Sequence, residues 1–293
     1  MGKVKPIYVV YYVDFNSSSP VVVHVIPKGE AISGVTSLGD NVFVVRSDNQ
    51  QKIEVYDAKT CTAKRHITVP GRLGPRCHGL AACPSNKCLY ASDYHNDRVH
   101  RVELSGSNAV MKWFVARHPI GLSVNTGHNL IVLSGGECKL QIFTTRGTLL
   151  QNVQLQADIK YPVHAVQLPA TSQFLVSHGC VSLLHRVCLV GVDGAVVRSY
   201  GGQARSELTE MNEPKGLAVD REGRVLVADL YNNRLLVIDQ SLSSAHEMSV
   251  HVDGGLDSPY SLWYDQSRRR LYIGEWHGGR VIVVDNLKDF SNI

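Results

Sequence analysis

A motif of about 25 residues recurs along this chain, and such a repeat limits the possible folds more than any other feature. Two copies read HGLAACPSNKCLYASDYHNDRVHRVEL and KGLAVDREGRVLVADLYNNRLLVID. Each has an apolar run, a turn, a second apolar run ending in Asp, a polar loop with Asn, and an Arg that opens a third run. Four weaker copies accompany them, so the motif occupies most of the chain.

The position of the motif's aspartate recurs every 41 to 51 residues. Its six occupants are Ser47, Asp93, Ser134, His178, Asp229 and Glu275. A period of this length is typical of four short strands per repeat. Alternating apolar and polar residues, as in RVHRVEL and KLQIF, also indicate strands. The sequence therefore predicts an all-β, closed six-bladed β-propeller of four-stranded antiparallel blades.

The sixth copy ends at Asp285 and is followed only by NLKDFSNI, which is too polar for a convincing fourth strand. The segment VVVHVIPKGEAISGV before the first copy resembles HITVPGRLGPRCHGL before the second. We therefore expect Val21–Ile26 to be the outer strand of the last blade. The predicted organisation is an N-terminal extension at 1–19, a propeller at 20–285 and a tail at 286–293. Within the extension, Ile7–Val13 is expected to form an extra strand or a cap.

Composition indicates a globular protein, with 44% hydrophobic and 19% charged residues in 293. The net charge of +4 is compatible with a nucleic-acid partner but does not require one. Seven cysteines without a CxxC pair favour reduced, buried thiols in a cytoplasmic protein. The apolar run Ile7–Val13 is too short to span a bilayer, so we expect no membrane partner. The isolated domain is expected to be monomeric.

The copies, above all PKGLAVDREGRVLVADLYNNRLLVID at 214–239, resemble NHL repeats. The resemblance extends over about residues 20 to 285 and is strongest in copies two, five and six. It implies a six-bladed propeller like that at the C-terminus of TRIM-NHL type ubiquitin ligases. In that family the propeller recognises RNA stem-loops, single-stranded RNA or protein partners. Any RING, B-box or coiled-coil segment would lie outside this sequence.

The most regular charges are three carboxylate–arginine pairs. They are Asp93 and Arg98, Asp229 and Arg234, and Glu275 and Arg280. Because a residue that recurs at one blade position meets a need of the blade, we interpret these pairs as structural, fixing the loop between the second and third strands. The other copies replace the pair by Ser47 and Lys52, Ser134 and Lys139, and His178 and Leu183. Gly79, Gly121 and Gly216 are interpreted as points of close approach between inner strands.

Two sets of loops are predicted to share one face: those entering each inner strand and those joining second to third strands. Candidate ligand-binding residues there are Arg46, Arg76, His78, Tyr94, His95, Lys215, Tyr231, Tyr260, Trp276 and His277. Bases stack on aromatic side chains while Lys and Arg follow phosphates, which suits single-stranded or stem-loop RNA. Aromatic residues and arginine also dominate protein-binding hot spots, so a protein or peptide ligand stays open. DNA is not expected. The predicted function is a non-catalytic recognition module.

The alternative is a metal-dependent propeller enzyme of the lactonase or lyase type, with a site at the pore. The aligned pore positions lack the converging carboxylates that calcium requires. A zinc site would need three imidazoles or similar ligands, and His78, His164 and Tyr260 lie two blades apart from one another. When the prolines are aligned, however, His164 matches Gly216 and would point into the blade packing. No nucleophile or acid–base motif occurs, so no catalytic residue, metal or cofactor is predicted.

Overall fold

The computed structural model describes residues 21–47, 52–69, 79–106, 108–169, 171–179, 184–203, 210–220, 222–285 and 287. Within these ranges, 24 strands form six four-stranded antiparallel sheets; five have their strands side by side in chain order, and the sixth adds the first strand of the chain to the last three. A short 3-10 helix, Leu230–Asn232, is the remaining element described. This arrangement confirms the all-β, six-bladed propeller predicted from the repeats.

Each blade has four strands, from the innermost beside the axis of the ring to the outermost at its edge. Blade one has β2 (Ile32–Leu38), β3 (Asn41–Arg46), β4 (Lys52–Asp57) and β5 (Ala63–Thr68); blade two β6 (Leu80–Cys83), β7 (Cys88–Asp93), β8 (Arg98–Glu103) and β9 (Val110–Phe114); blade three β10 (Pro119–Val124), β11 (Leu130–Ser134), β12 (Lys139–Phe143) and β13 (Leu149–Gln154). Blade four has β14 (Pro162–Gln167), β15 (Phe174–His178), β16 (Leu184–Val190) and β17 (Val196–Gln203); blade five β18 (Pro214–Val219), β19 (Val225–Asp229), β20 (Arg234–Ile238) and β21 (Ala245–Met248); blade six β22 (Pro259–Asp265), β23 (Arg270–Glu275), β24 (Val281–Asp285) and β1 (Val21–Ile26).

The ring closes through the N-terminal strand. Strand β1 pairs antiparallel with β24, from Val21 opposite Asp285 to Ile26 opposite Val281. The predicted role of Val21–Ile26 as outer strand of the last blade is therefore confirmed. Closure in this way joins the two ends of the chain by backbone hydrogen bonds and removes the open seam that a ring of repeats would otherwise have. The expected strand or cap at Ile7–Val13 lies outside the described residues.

The hydrophobic core lies between the blades. Among the described residues, one apolar cluster fills each of the six seams between neighbouring blades. In the seam between blades six and one, Ile26 and Val281 pack against Ile32 and Val42. The middle strands are buried on both faces because each blade contacts two neighbours, and all five residues of β19 are buried. These short apolar strands therefore gain most of their stability from the adjacent sheet.

The inner strands of adjacent blades approach most closely at positions that are occupied by glycine in several blades. A Cβ on Gly216 would lie 2.8 Å from the Tyr260 carbonyl oxygen, and one on Gly121 would lie 2.7 Å from the Val163 carbonyl oxygen. These distances support the interpretation of the inner-strand glycines as points of close approach. The strand register places His164 at this same position in blade four.

Gly216→Ala is expected to lower the free energy of unfolding by about 2 kcal/mol, because the added methyl group meets backbone atoms that cannot rotate away. Urea denaturation monitored by circular dichroism measures this. Gly202→Ala is the matched control, since a Cβ at Gly202 on outer strand β17 would meet no atom within 4 Å. Equal effects of the two substitutions would contradict the close-approach explanation.

Candidate functional site

The two loop sets predicted to share a face are joined by hydrogen bonds. The Trp276 N–H, between the second and third strands of blade six, donates to the Ser258 carbonyl at the entrance of the same blade, at 2.8 Å. In blade three the Gly135 N–H donates to the His118 carbonyl at 3.0 Å. We call this surface the loop face. The turns between first and second strands lie at the other end of each blade and form the opposite face.

A regular contact between blades organises the loop face. The Asp97 carboxylate accepts a hydrogen bond from the His118 N–H at 2.8 Å, and the Asn233 side-chain oxygen accepts one from the Ser258 N–H at 2.8 Å. His185 Nδ1 accepts one from the Glu213 N–H at 3.1 Å in the same way. Each acceptor immediately precedes the arginine of one blade, and each donor precedes the first proline of the next.

The donor residues of these contacts have left-handed backbone conformations. The φ angles are 56° at His118, 59° at Glu213 and 58° at Ser258, and Tyr161 at the equivalent site has 52°. Non-glycine residues adopt this conformation at a cost, which the capping hydrogen bonds offset. Sequence reasoning missed this contact, although its signal was visible as a polar residue before Arg in one copy and a residue before Pro in the next.

Two of the predicted charged pairs are formed. Arg234 Nε lies 2.8 Å from Asp229 Oδ2, and Arg280 Nε lies 2.5 Å from Glu275 Oε2. Both carboxylates are fully buried, and both arginines also donate to main-chain carbonyls of the preceding blade junction, such as that of Glu210. These pairs tie the loop between second and third strands to the entrance of the same blade.

The pair expected between Asp93 and Arg98 is not formed, although the two residues are opposite each other in the sheet. Asp93 instead contacts His100 Nε2 at 3.3 Å and the Asn96 side chain at 2.9 Å. The Arg98 guanidinium lies over the Phe114 ring, 4.4 Å from its centroid. In blade five, apolar Leu236 occupies the position equivalent to His100. Asp229 therefore has no histidine partner there and pairs with Arg234.

Blades one and four also differ from the alignment made on sequence. In the sheet, Arg46 rather than Ser47 occupies the aspartate position, and its charge partner is Glu54 at 3.0 Å. Opposite His178 stands Arg186 rather than Leu183, and Arg186 Nε donates to His178 Nε2 at 2.9 Å. The alignment made on sequence was therefore off by one residue in the second strand of blade one and by three residues in the third strand of blade four.

Arg46 was a candidate ligand contact, but its side chain lies in the interior of the protein. The residue is 8% exposed, and its guanidinium donates to the carbonyls of Glu30, Gly279 and Pro27 in addition to Glu54. Its donors are therefore used within the protein. Arg46 joins blade one to blade six at the point where the ring closes.

Two further candidates on the loop face are buried. Lys215 is 5% exposed and pairs with Glu213 at 2.9 Å, so its ammonium group is already neutralised. Tyr260 is 7% exposed, and its ring packs against Trp276 with centroids 4.9 Å apart. The candidates Arg76 and His78 lie outside the described residues.

The other aromatic candidates are at the surface of the loop face. The Tyr94 ring stacks on His118 from the next blade at 4.5 Å and 11°, with the exposed His95 against its edge. Tyr231 is 52% exposed. The exposed His277 contacts Ser258 through Nδ1 at 2.8 Å. The stack between Tyr94 and His118 fixes a flat surface across the seam of blades two and three.

Tyr161 was not among the candidates but belongs with them. It is 56% exposed and lies at the entrance of blade four, at the left-handed position equivalent to that of His118. Its position before Pro162 was the available signal. We define the aromatic set of the loop face as Tyr94, His95, His118, Tyr161, Tyr231, Trp276 and His277.

At the centre of the ring, His164 is bound by the backbones of two neighbouring blades. Its Nδ1 accepts the Leu217 N–H at 3.1 Å, so Nε2 carries the proton and donates to the Leu122 carbonyl at 3.1 Å. Burial lowers the pKa of this imidazole because it disfavours the charged form. Both nitrogens are thus used, and neither fits the zinc ligand considered in the enzyme alternative. No group of three potential metal ligands occurs among the described residues.

Comparison with known proteins agrees with this architecture. The NHL repeat family matches residues 211–238, within blade five. The chain is a six-bladed β-propeller that contains NHL repeat sequence. The curated protein brain tumor of Drosophila melanogaster is 23% identical over 141 residues. That match covers 46% of this chain but only 13% of the relative's length.

Solved structures show the same fold at low identity. A Bacteroides thetaiotaomicron protein of unknown function superposes with a TM-score of 0.71 at 13% identity, over 92% of this chain and 72% of that one. A catalytically inactive virginiamycin B lyase from Staphylococcus aureus, with quinupristin, superposes with a TM-score of 0.63 at 12% identity, over 94% and 86%. Such identities establish the propeller fold of this chain and nothing about its chemistry. In the part of the chain that the structure describes, no helix is long and apolar enough to cross a membrane.

Proposed function

We propose that this NHL propeller is a non-catalytic recognition module whose loop face binds a protein or peptide. The aromatic set on that face carries the proposal. Tyr231 and Tyr161 are each more than half exposed on neighbouring blades, and Tyr94 forms a flat stack with His118. Aromatic side chains held rigid by a scaffold are typical anchors of protein interfaces.

Three cations of the loop face are paired with carboxylates, which favours a protein ligand over RNA. Lys215 pairs with Glu213 at 2.9 Å, and Lys139 pairs with Glu137 at 2.7 Å. Arg186 likewise pairs with Asp158. Nucleic-acid affinity depends on cations that neutralise phosphates, and these cations are already neutralised by carboxylates. In a natural chain longer than this one, such a module would supply target recognition, as in TRIM-NHL-like proteins.

A peptide display library and a pool of random single-stranded RNA, each selected on the purified propeller, test the proposal. We expect enriched peptides whose affinity changes little with salt, because aromatic contacts supply most of the binding energy. RNA binding would instead weaken steeply as salt is raised. Exclusive enrichment of RNA with such a salt dependence would refute the protein-ligand proposal.

The double variant Tyr161→Ala and Tyr231→Ala is expected to weaken the selected peptides at least about tenfold, since truncating a hot-spot residue costs about 2 kcal/mol or more. Isothermal titration calorimetry measures the change. Leu149→Ala with Leu150→Ala is the matched control, because these side chains are 44% and 53% exposed at the start of outer strand β13, which is its end away from the loop face. Full retention of affinity in the tyrosine variant would place the peptide elsewhere.

A further inference from the structure

The opposite face of the propeller contains a cavity of about 780 Å³. It opens where the inner strands end, and its lining includes the final residues of β10 and β14 and the turn Asp265–Arg268 of blade six. The loop face lies at the other end of the same strands, so this cavity is separate from the aromatic set. A volume of this size is within the range of pockets that bury small organic ligands.

The walls of the cavity are apolar. Leu80, Leu122, Leu217 and Leu262 line it from blades two, three, five and six. Trp263 and Tyr264 add aromatic surface near the rim. An apolar molecule that entered would be removed from water on several sides, at about 25 cal/mol for each Å² of apolar area buried.

The described lining carries no uncompensated charge. Its two charged side chains, Asp265 and Arg268, pair with each other at 3.0 Å, and Arg268 also pairs with Asp40 at 3.1 Å. His164 at the inner end is neutral, because its Nδ1 accepts the Leu217 N–H and therefore carries no proton. A charged ligand would lose its hydration here without gaining an opposite charge, so the cavity favours a neutral one.

Two side-chain amides at the rim could orient such a ligand. The Asn125 side-chain oxygen accepts the Asn129 N–H at 2.9 Å, so the NH₂ group of Asn125 is the part that could donate to a ligand. The Gln167 NH₂ group donates to the Thr171 carbonyl at 2.7 Å, so the side-chain oxygen of Gln167 is the part that could accept from a ligand. One donor and one acceptor beside an apolar wall is a common arrangement in sites for neutral small molecules.

We propose that this cavity is a binding site for a neutral, largely apolar small molecule. The site does not depend on the loop face, so either proposal can fail without the other. The neutral fluorophore N-phenylnaphthylamine is a suitable probe. Its anionic counterpart, anilinonaphthalene sulfonate, has the same aromatic skeleton with one added charge. We expect saturable binding of one neutral probe per chain, about tenfold or more tighter than the anion, because the cavity offers no cation to pair with the sulfonate.

Val124→Trp places a large side chain in the cavity from the end of β10 and is expected to abolish the fluorescence increase. The matched control is Val197→Trp, since Val197 is 51% exposed on outer strand β17. The control is expected to bind the probe as the wild type does. Should Val124→Trp fail to fold, Val219→Trp fills the same cavity from blade five. Equal affinity for the anion, or unchanged binding in a folded cavity-filling variant, would overturn the proposal.

Discussion

Arg46→Ala is expected to lower the free energy of unfolding of the propeller by about 3–5 kcal/mol, the cost of removing one partner from a buried ion pair. The substitution leaves Glu54 without its cation and the carbonyls of Glu30 and Gly279 without their donor. These groups lie where blade one meets blade six, so the loss acts on ring closure. Chemical denaturation followed by far-UV circular dichroism measures the change.

Hydrogen exchange adds a local test of the role of Arg46. In a variant that still folds, the amides of the closing strand Val21–Ile26 should lose protection before those of β19 do. Lys64→Ala is the matched control, because the pair of Lys64 with Asp57 is at the surface and is expected to contribute less than about 1 kcal/mol. A destabilisation of Arg46→Ala no larger than that of the control would contradict the closure role.

Acidification is expected to destabilise the propeller by about 3 kcal/mol between pH 6.5 and pH 4 through His178 alone. Burial, reinforced by the nearby Arg186 guanidinium, lowers the pKa of His178 to about 4, against an unfolded value of 6.5. Below pH 6.5, His178 binds a proton in the unfolded chain but stays neutral in the folded protein until the pH approaches 4. The stabilisation is therefore complete above pH 6.5 and is lost progressively as the pH falls to about 4.

The variant His178→Gln isolates this effect, because a glutamine oxygen can accept the Arg186 hydrogen bond but cannot titrate. Urea midpoints measured at intervals from pH 7.5 to pH 4.5 should fall less steeply in the variant than in the wild type. His100 and His164 also have lowered pKa values, so a shallower slope should persist in the variant. Parallel profiles for the two proteins would show that His178 is not the responsible group.

Strand number, blade number and ring closure could all be predicted from the sequence because they follow from repetition. A repeat that cannot bury its own apolar face must stack on copies of itself, and six copies give six seams. The pairs of Asp229 with Arg234 and of Glu275 with Arg280 are also local, since a loop of four residues brings the charges together. The inner-strand glycines belong to this group as well, because their motif position repeats.

Tertiary structure decided the side-chain contacts between neighbouring blades and those that involve the third strand of a blade. Asp93 has His100 as its partner because an alternating strand places that residue on the same face of the sheet, and the pattern of blade five did not show it. Lys215 and Arg46 appeared as surface cations in the sequence, but neighbouring loops bury and pair them. The cavity of the opposite face has walls from several blades, so no single segment carries its signal.

The sequence by itself determined the architecture, because the motif recurs at a nearly constant spacing and its short apolar strands can be buried in only a few arrangements. Only the folded ring decided which polar groups remain available to a ligand. Partners such as Asp97 with His118, or Arg46 with Gly279, come from different blades and meet because the ring closes. Their hydrogen bonds depend on distances of a few tenths of an ångström across blade junctions, which residue spacing along the chain does not specify.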